Sequence, residues 1–180
     1  MAKKAYDLYL DFLDNEVKTD KYPMYSVMLR NYLQSLVEDK KICARLEKCK
    51  DHETFLRAAE IVSKRSRDYR FLIVGEGSER RALEDLAGRL GIADRVTFTG
   101  FCENVAEYMS LFDVNVNCSV GTETSSLALS EGMSLGIPAI ASDYGGNPYM
   151  VRDGVNGFLY PQGNADELAT RILLLEDDAL

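Results

Sequence analysis

The stretch Asp113-Val-Asn-Val-Asn-Cys118, then Gly121-Thr-Glu-Thr-Ser-Ser-Leu-Ala-Leu-Ser-Glu131 and Gly132-Met-Ser-Leu-Gly-Ile-Pro138, decides the fold. Residues 113–118 read as a strand, 124–135 as a helix stopped at Gly136, and 137–141 as the next strand. Strands alternating with helices across short loops predict a parallel sheet with helices on both faces. Ligands of such sheets bind beyond the carboxyl ends of the strands. The hydroxyl-rich segment ahead of the helix falls at that end.

The alternation continues outward in both directions. Upstream, 42–46 reads as a first strand of thin apolar content. Residues 53–64 follow as a helix carrying Phe55, Leu56, Ala59, Ile61 and Val62. Residues 69–74 form a strongly apolar strand ended by Gly75. Ser78 is the expected N-cap of a helix over 79–90, with Gly91 as its stop. Residues 95–99 then read as a strand and 103–111 as a helix. Downstream come a short helix at 147–151, a strand at 157–160 and a helix at 165–175. The expected architecture is α/β: a single Rossmann-like domain over 41–180, its parallel sheet covered by helices on both faces. Residues 1–40 differ. Ala5, Leu8, Tyr9 and Phe12 share one helical face, and Tyr25, Met28, Leu29, Tyr32, Leu33 and Leu36 another, with Pro23 at a favourable early position. They predict an N-terminal helical pair.

Bulk properties bound the function. The chain has 180 residues, enough for a core without staples. A net charge of −8 argues against general affinity for nucleic acid or anionic membrane, while leaving room for a local basic pocket. Contact with a membrane surface is not demanded by anything in the sequence. Cys43, Cys49, Cys102 and Cys118 form no Cys-x-x-Cys pair, and one histidine is present, so no metal site is expected. Reduced thiols and the absence of a secretory leader pattern lead to the expectation of a cytoplasmic protein.

Glu123 and Glu131 stand eight residues apart around the start of the central helix. Thr124, Ser125 and Ser126 would place backbone N–H groups at the helix start, where the dipole favours a diphosphate without a metal. From spacing alone, both glutamates also fit a solvated helix. Their neighbours narrow the reading: Gly136-Ile-Pro-Ala-Ile-Ala-Ser-Asp143, Gly145-Gly-Asn-Pro148 and Asp153-Gly-Val-Asn-Gly-Phe-Leu-Tyr-Pro161. Gly75-Glu-Gly77 is not a dinucleotide fingerprint, because Arg80 stands where the third glycine belongs. Asp51 and His52 read as caps of the helix that follows them.

These motifs together resemble the donor-binding C-terminal domain of retaining GT-B glycosyltransferases with the E-x7-E signature, over 42–180. The resemblance implies that Glu123 faces the transferred sugar as the catalytic residue and that Glu131 binds the ribose. It implies that Arg45 and Lys50 contact the donor diphosphate and that Phe101 lies against the nucleobase, although from sequence alone Phe101 also suits a core. Thr124-Ser125-Ser126 replaces the Gly-Phe-Gly common in the family, keeping a close backbone approach to phosphate. The implied substrate is a UDP- or GDP-linked sugar, transferred to a saccharide or lipid-linked acceptor without a cofactor. Because the family works between two such domains, a separate or deleted acceptor-binding domain is the implied partner. Residues 1–12 look like the family's tail helices, which suggests a circularly permuted order. The alternatives are a non-catalytic sugar-nucleotide-binding or interaction module, and an epimerase of the same fold, which would need acid–base residues in two domains.

Overall fold

An aromatic ring and β-branched side chains suit Phe71-Leu-Ile-Val74 to an extended, buried ribbon, and these residues form β1 (Phe71–Val74). The computed structural model describes residues 46–65, 68–102, 104–121 and 126–175, all within one unit, Cys43–Leu180. A 3-10 turn (Lys48–Lys50) leads into α1 (His52–Arg65). After β1 come α2 (Arg80–Arg89), β2 (Val96–Gly100), α3 (Val105–Met109) and β3 (Asn115–Asn117). Then follow α4 (Leu127–Ser134), β4 (Ala139–Ser142), α5 (Asn147–Met150), β5 (Gly157–Tyr160) and α6 (Ala165–Leu174). The helical pair expected at 1–40, and the permutation it suggested, lie outside the described residues.

Among the described residues the strands pair in parallel: β1 with β2, and β3 with β4 with β5. The α/β architecture expected from the alternation is the one observed. Leu46, expected to end a strand, belongs to none, and the remainder of 42–46 lies outside the described residues. The chain from Leu46 to Cys49 instead bonds to both strand groups. Leu46 N–H donates to Glu76 O (2.9 Å) and Leu46 O accepts from Glu79 N–H (3.0 Å), just past β1. Cys49 O accepts from Val120 N–H (2.8 Å), just past β3.

Both faces of β4 are covered, as its burial along all four residues requires. Ile140 joins the large core built with Leu56, Ala59 and Val62 of α1 and Leu168 and Ile172 of α6. Ala139 and Ala141 point the other way, into a smaller cluster with Leu129 of α4 and Val151. In register beside them on β3, Asn115 pairs with Ala139, Val116 with Ile140 and Asn117 with Ala141. The two asparagines therefore face α4.

Several local expectations need correction. Ser78 does not cap α2. The helix starts at Arg80 with Glu79 at the N-cap and no side-chain cap, and the Ser78 hydroxyl reaches Glu47 Oε2 instead (3.3 Å). Asp51 does cap α1, accepting from Thr54 Oγ1 (2.6 Å) and Thr54 N–H (3.3 Å). It does so from a left-handed conformation (φ 46°) that Asp tolerates better than most residues. His52 is not a cap. It opens the helix, and its Nδ1 is buried without a partner among the described residues.

Candidate functional site

The site is built at the carboxyl end of β3 and β4, around the start of α4. Ser126, expected as one of three residues with N–H groups at the helix start, is the N-cap itself. It is buried, and its Oγ accepts from Leu129 N–H at 3.3 Å. The same Oγ accepts from Asn117 Nδ2 at 2.6 Å. Its hydroxyl is therefore engaged inside the protein. A helix start capped in this way directs its remaining first-turn amides toward whatever lies ahead of it. Further along α4, Asn115 Nδ2 donates to Ala128 O (2.6 Å). The two asparagines thus fix where α4 sits along β3.

Glu131 lies about one turn inside α4, on the same helix face as Leu127. It is half-buried, and burial alone raises its carboxyl above the ordinary range. A desolvated carboxylate is suited to accept from a pair of hydroxyls. Glu123, Thr124, Ser125 and Arg45 lie outside the described residues.

Lys50 ends the 3-10 turn, next to Asp51 and close enough to His52 to oppose its protonation. The bond from Val120 N–H to Cys49 O holds that turn beside the loop leading from β3 toward α4. Phe101 follows Gly100, whose left-handed φ of 78° turns the chain at the end of β2. Its ring is 64% exposed, which removes the core alternative. The structure therefore brings Lys50, Phe101, Ser126 and Glu131 to helix and loop positions at or near the same end of the strands.

Four buried polar residues at this end carry no role in the sequence reading. Asn117 Oδ1 accepts from Ser119 N–H (3.0 Å) and Asn147 Nδ2 (3.4 Å). Ser142 Oγ donates to Ser119 O (2.7 Å), while Asn147 Nδ2 also donates to Ser142 O and Oγ, both at 3.1 Å. Asn147 is fully buried, and its Oδ1 has no partner among the described residues. The available signal was the pair of asparagines inside an otherwise apolar strand, a residue type depleted there.

Among the described residues no group of three His, Cys, Asp or Glu side chains is placed to hold a metal. No described helix is long and apolar enough to cross a membrane. Arg80 opens α2 paired with Glu76 and Glu84, a surface network in place of a phosphate-binding glycine. Cys118 is buried and its thiol is pushed up to about 12 by desolvation, so it is protonated and unreactive at neutral pH.

Comparison with known proteins gives three kinds of match. The family model described as Glycosyl transferases group 1 matches residues 42–178. The chain is 35% identical over 129 residues to EpsD of Bacillus subtilis (strain 168), named as a glycosyltransferase, covering 72% of this chain and 34% of that protein. It is also 35% identical over 128 residues to the alpha-D-kanosaminyltransferase of Streptomyces kanamyceticus, covering 70% of this chain and 33% of the relative. The chain spans about a third of the length of these relatives. Among solved structures, Anabaena Alr3699/HepE in complex with UDP-glucose superposes with a TM-score of 0.69 at 26% identity, covering 82% of this chain and 43% of that one.

Proposed function

Because the chain belongs to the glycosyl transferases group 1 family, we propose that residues 41–180 are the donor-binding domain of a retaining glycosyltransferase that uses a UDP- or GDP-sugar. The observation that carries this reading is Glu131: a half-buried carboxylate raised by desolvation, on the helix whose start is fixed at the carboxyl end of the sheet. In the E-x7-E pattern it is the second glutamate, and it takes the ribose hydroxyls. Glu123, the first, faces the transferred sugar. UDP is the first nucleotide to try, since the related Anabaena protein was solved with UDP-glucose.

The chemistry follows from charge. As the glycosidic bond to the diphosphate breaks, negative charge grows on the leaving phosphate. The amino end of α4, with Arg45 and Lys50, stabilises it most when it is fully developed. No metal is needed for that step. Phe101 offers an exposed ring to the nucleobase. The acceptor hydroxyl must be held against the anomeric carbon by a further, acceptor-binding domain, so efficient transfer requires that partner.

Titration calorimetry with UDP-, GDP- and ADP-sugars tests the reading on the wild-type chain and on Glu131→Ala and Arg45→Ala. Selective binding that both substitutions weaken supports it. Binding undiminished in both variants refutes the site.

A further inference from the structure

Resting on that donor-site reading, we propose that Asn117 and Asn147 are positioning residues for the donor diphosphate. Both side chains are buried and act through the groups they hold. Together they hold the start of α4 against the loops that follow β3 and β4. The argument begins with where polar groups are buried. β3 is three residues long, and its side facing α4 carries asparagine at both positions, each no more than 8% exposed. An apolar pair would fill that face at lower desolvation cost, as Ala139 and Ala141 do one strand over. The asparagines supply direction instead. Asn117 Nδ2 is aimed at the Ser126 hydroxyl (2.6 Å), so the capping oxygen of α4 is located by the sheet as well as by the helix it caps.

Asn147 extends this hold to a second loop. Its amide donates to the end of β4 at Ser142 (3.1 Å) and to Asn117 Oδ1 (3.4 Å), while Ser142 Oγ reaches back to Ser119 O (2.7 Å). Three segments that meet at the carboxyl end are thereby joined through buried side chains. They are the loop after β3, the cap of α4 and the Gly145-Gly-Asn-Pro148 turn. Buried networks of this kind act as units, so the two asparagines should be coupled. Among the described residues, the network also leaves Asn147 Oδ1 without a partner at zero exposure. A cluster kept for stability alone would avoid that cost. Precise placement of backbone amides is what a diphosphate site gains from it, because amide–phosphate bonds weaken steeply when misaligned.

The test separates placement from general stability by choice of ligand. UDP and uridine are titrated onto the full chain, wild type and Asn117→Leu, Asn147→Leu and the double variant, well below their melting temperatures. UDP is followed by calorimetry and uridine by NMR. The positioning role predicts a roughly 10-fold loss of UDP affinity in each single variant, with uridine binding changed less than about 2-fold. It also predicts a loss in the double variant smaller than the product of the two. Equal losses for UDP and uridine, unchanged UDP affinity, or multiplicative losses would each overturn it. If a leucine variant does not fold, Asn117→Ala and Asn147→Ala make the same comparison. A wild-type chain that binds no UDP, GDP or ADP compound refutes the donor-site reading itself. Wild-type binding with insensitive variants refutes only the inference.

Discussion

Gly132→Ala is the sharpest probe of how closely α4 lies on β3. A methyl carbon added at Gly132 would fall 2.3 Å from Asn115 Nδ2, 3.0 Å from its Cγ and 3.2 Å from its Cβ. Rotating the amide away would relieve the first two contacts only by giving up the 2.6 Å bond to Ala128 O. The amide would then be driven into surroundings where Asn115 is 5% exposed. The third contact is with an atom fixed to the strand. Overpacking of this kind costs about 1–3 kcal/mol, and losing the buried hydrogen bond adds about 1 kcal/mol. Alanine is the better helix former, which returns roughly 0.5–1 kcal/mol. The balance is a destabilisation of about 1–3 kcal/mol, or roughly 3–10 °C in Tm for a domain of this size. Urea titration should show a lower midpoint at unchanged slope. Combining the change with Asn115→Ala, which removes the two nearest atoms, should cost less than the sum of the single changes. A Gly132→Ala protein melting at or above wild type would mean that α4 does not sit at this distance.

Three further outcomes are expected. Burial raises the Glu131 carboxyl, so its stabilising contribution is full below the unfolded pKa of about 4.3 and is lost as pH rises through the higher folded value. Glu131→Gln should therefore raise Tm at pH 7, lose that advantage near pH 4, and abolish nucleotide-sugar binding. A lower Tm at pH 7 would contradict the burial. His52, the only histidine, is lowered from 6.5 to about 4 by burial, with Lys50 adding to the effect. Its contribution to stability is whole above 6.5 and is lost as pH falls toward 4. His52→Gln should flatten that decline in urea titrations at pH 7 and pH 5, and parallel declines in both proteins would refute it. Gly77→Ala places a carbon 2.3 Å from Leu46 O and 2.5 Å from Leu46 N, backbone atoms that cannot turn aside. A loss of about 3 kcal/mol or failure to fold is expected by circular dichroism, and a wild-type melt counts against the packing.

The alternation of strand and helix was legible because it rests on local signals. Residues 157–160 read as a strand and form one at Gly157–Tyr160. Gly91 and Gly136 read as helix stops and adopt left-handed φ values of 70° and 75°, where a side chain would be strained. What was not legible depends on partners distant in sequence. Ser78 has the chemistry of an N-cap, but the chain at Gly77 is pressed onto Leu46 and the hydroxyl turns to Glu47. Phe101 carries the signature of a core residue until the turn at Gly100 directs it outward. Asn117 and Asn147 are 30 residues apart, and neither is informative without the other. Glu131 stood out by its spacing, whereas its half-burial needed the packing of α4 on the sheet.

The segment from Leu46 to Cys49, bonded to the chain past β1 on one side and past β3 on the other, has a consequence for how the domain comes apart. Among the described residues, the β1–β2 pair and the β3–β4–β5 group share no strand pairing with each other. Among the described residues, backbone bonds through this segment link their carboxyl ends. Cooperative units in native proteins tend to follow such contiguous groupings. The amides of Leu46, Glu79 and Val120 therefore act as reporters of the seam. If they exchange with solvent as slowly as the core of β4, the two groups open together. If they exchange sooner, the domain loosens first along the line between its two strand groups. On the proposed donor-site reading, nucleotide would then slow exchange at those three positions more than anywhere in the sheet.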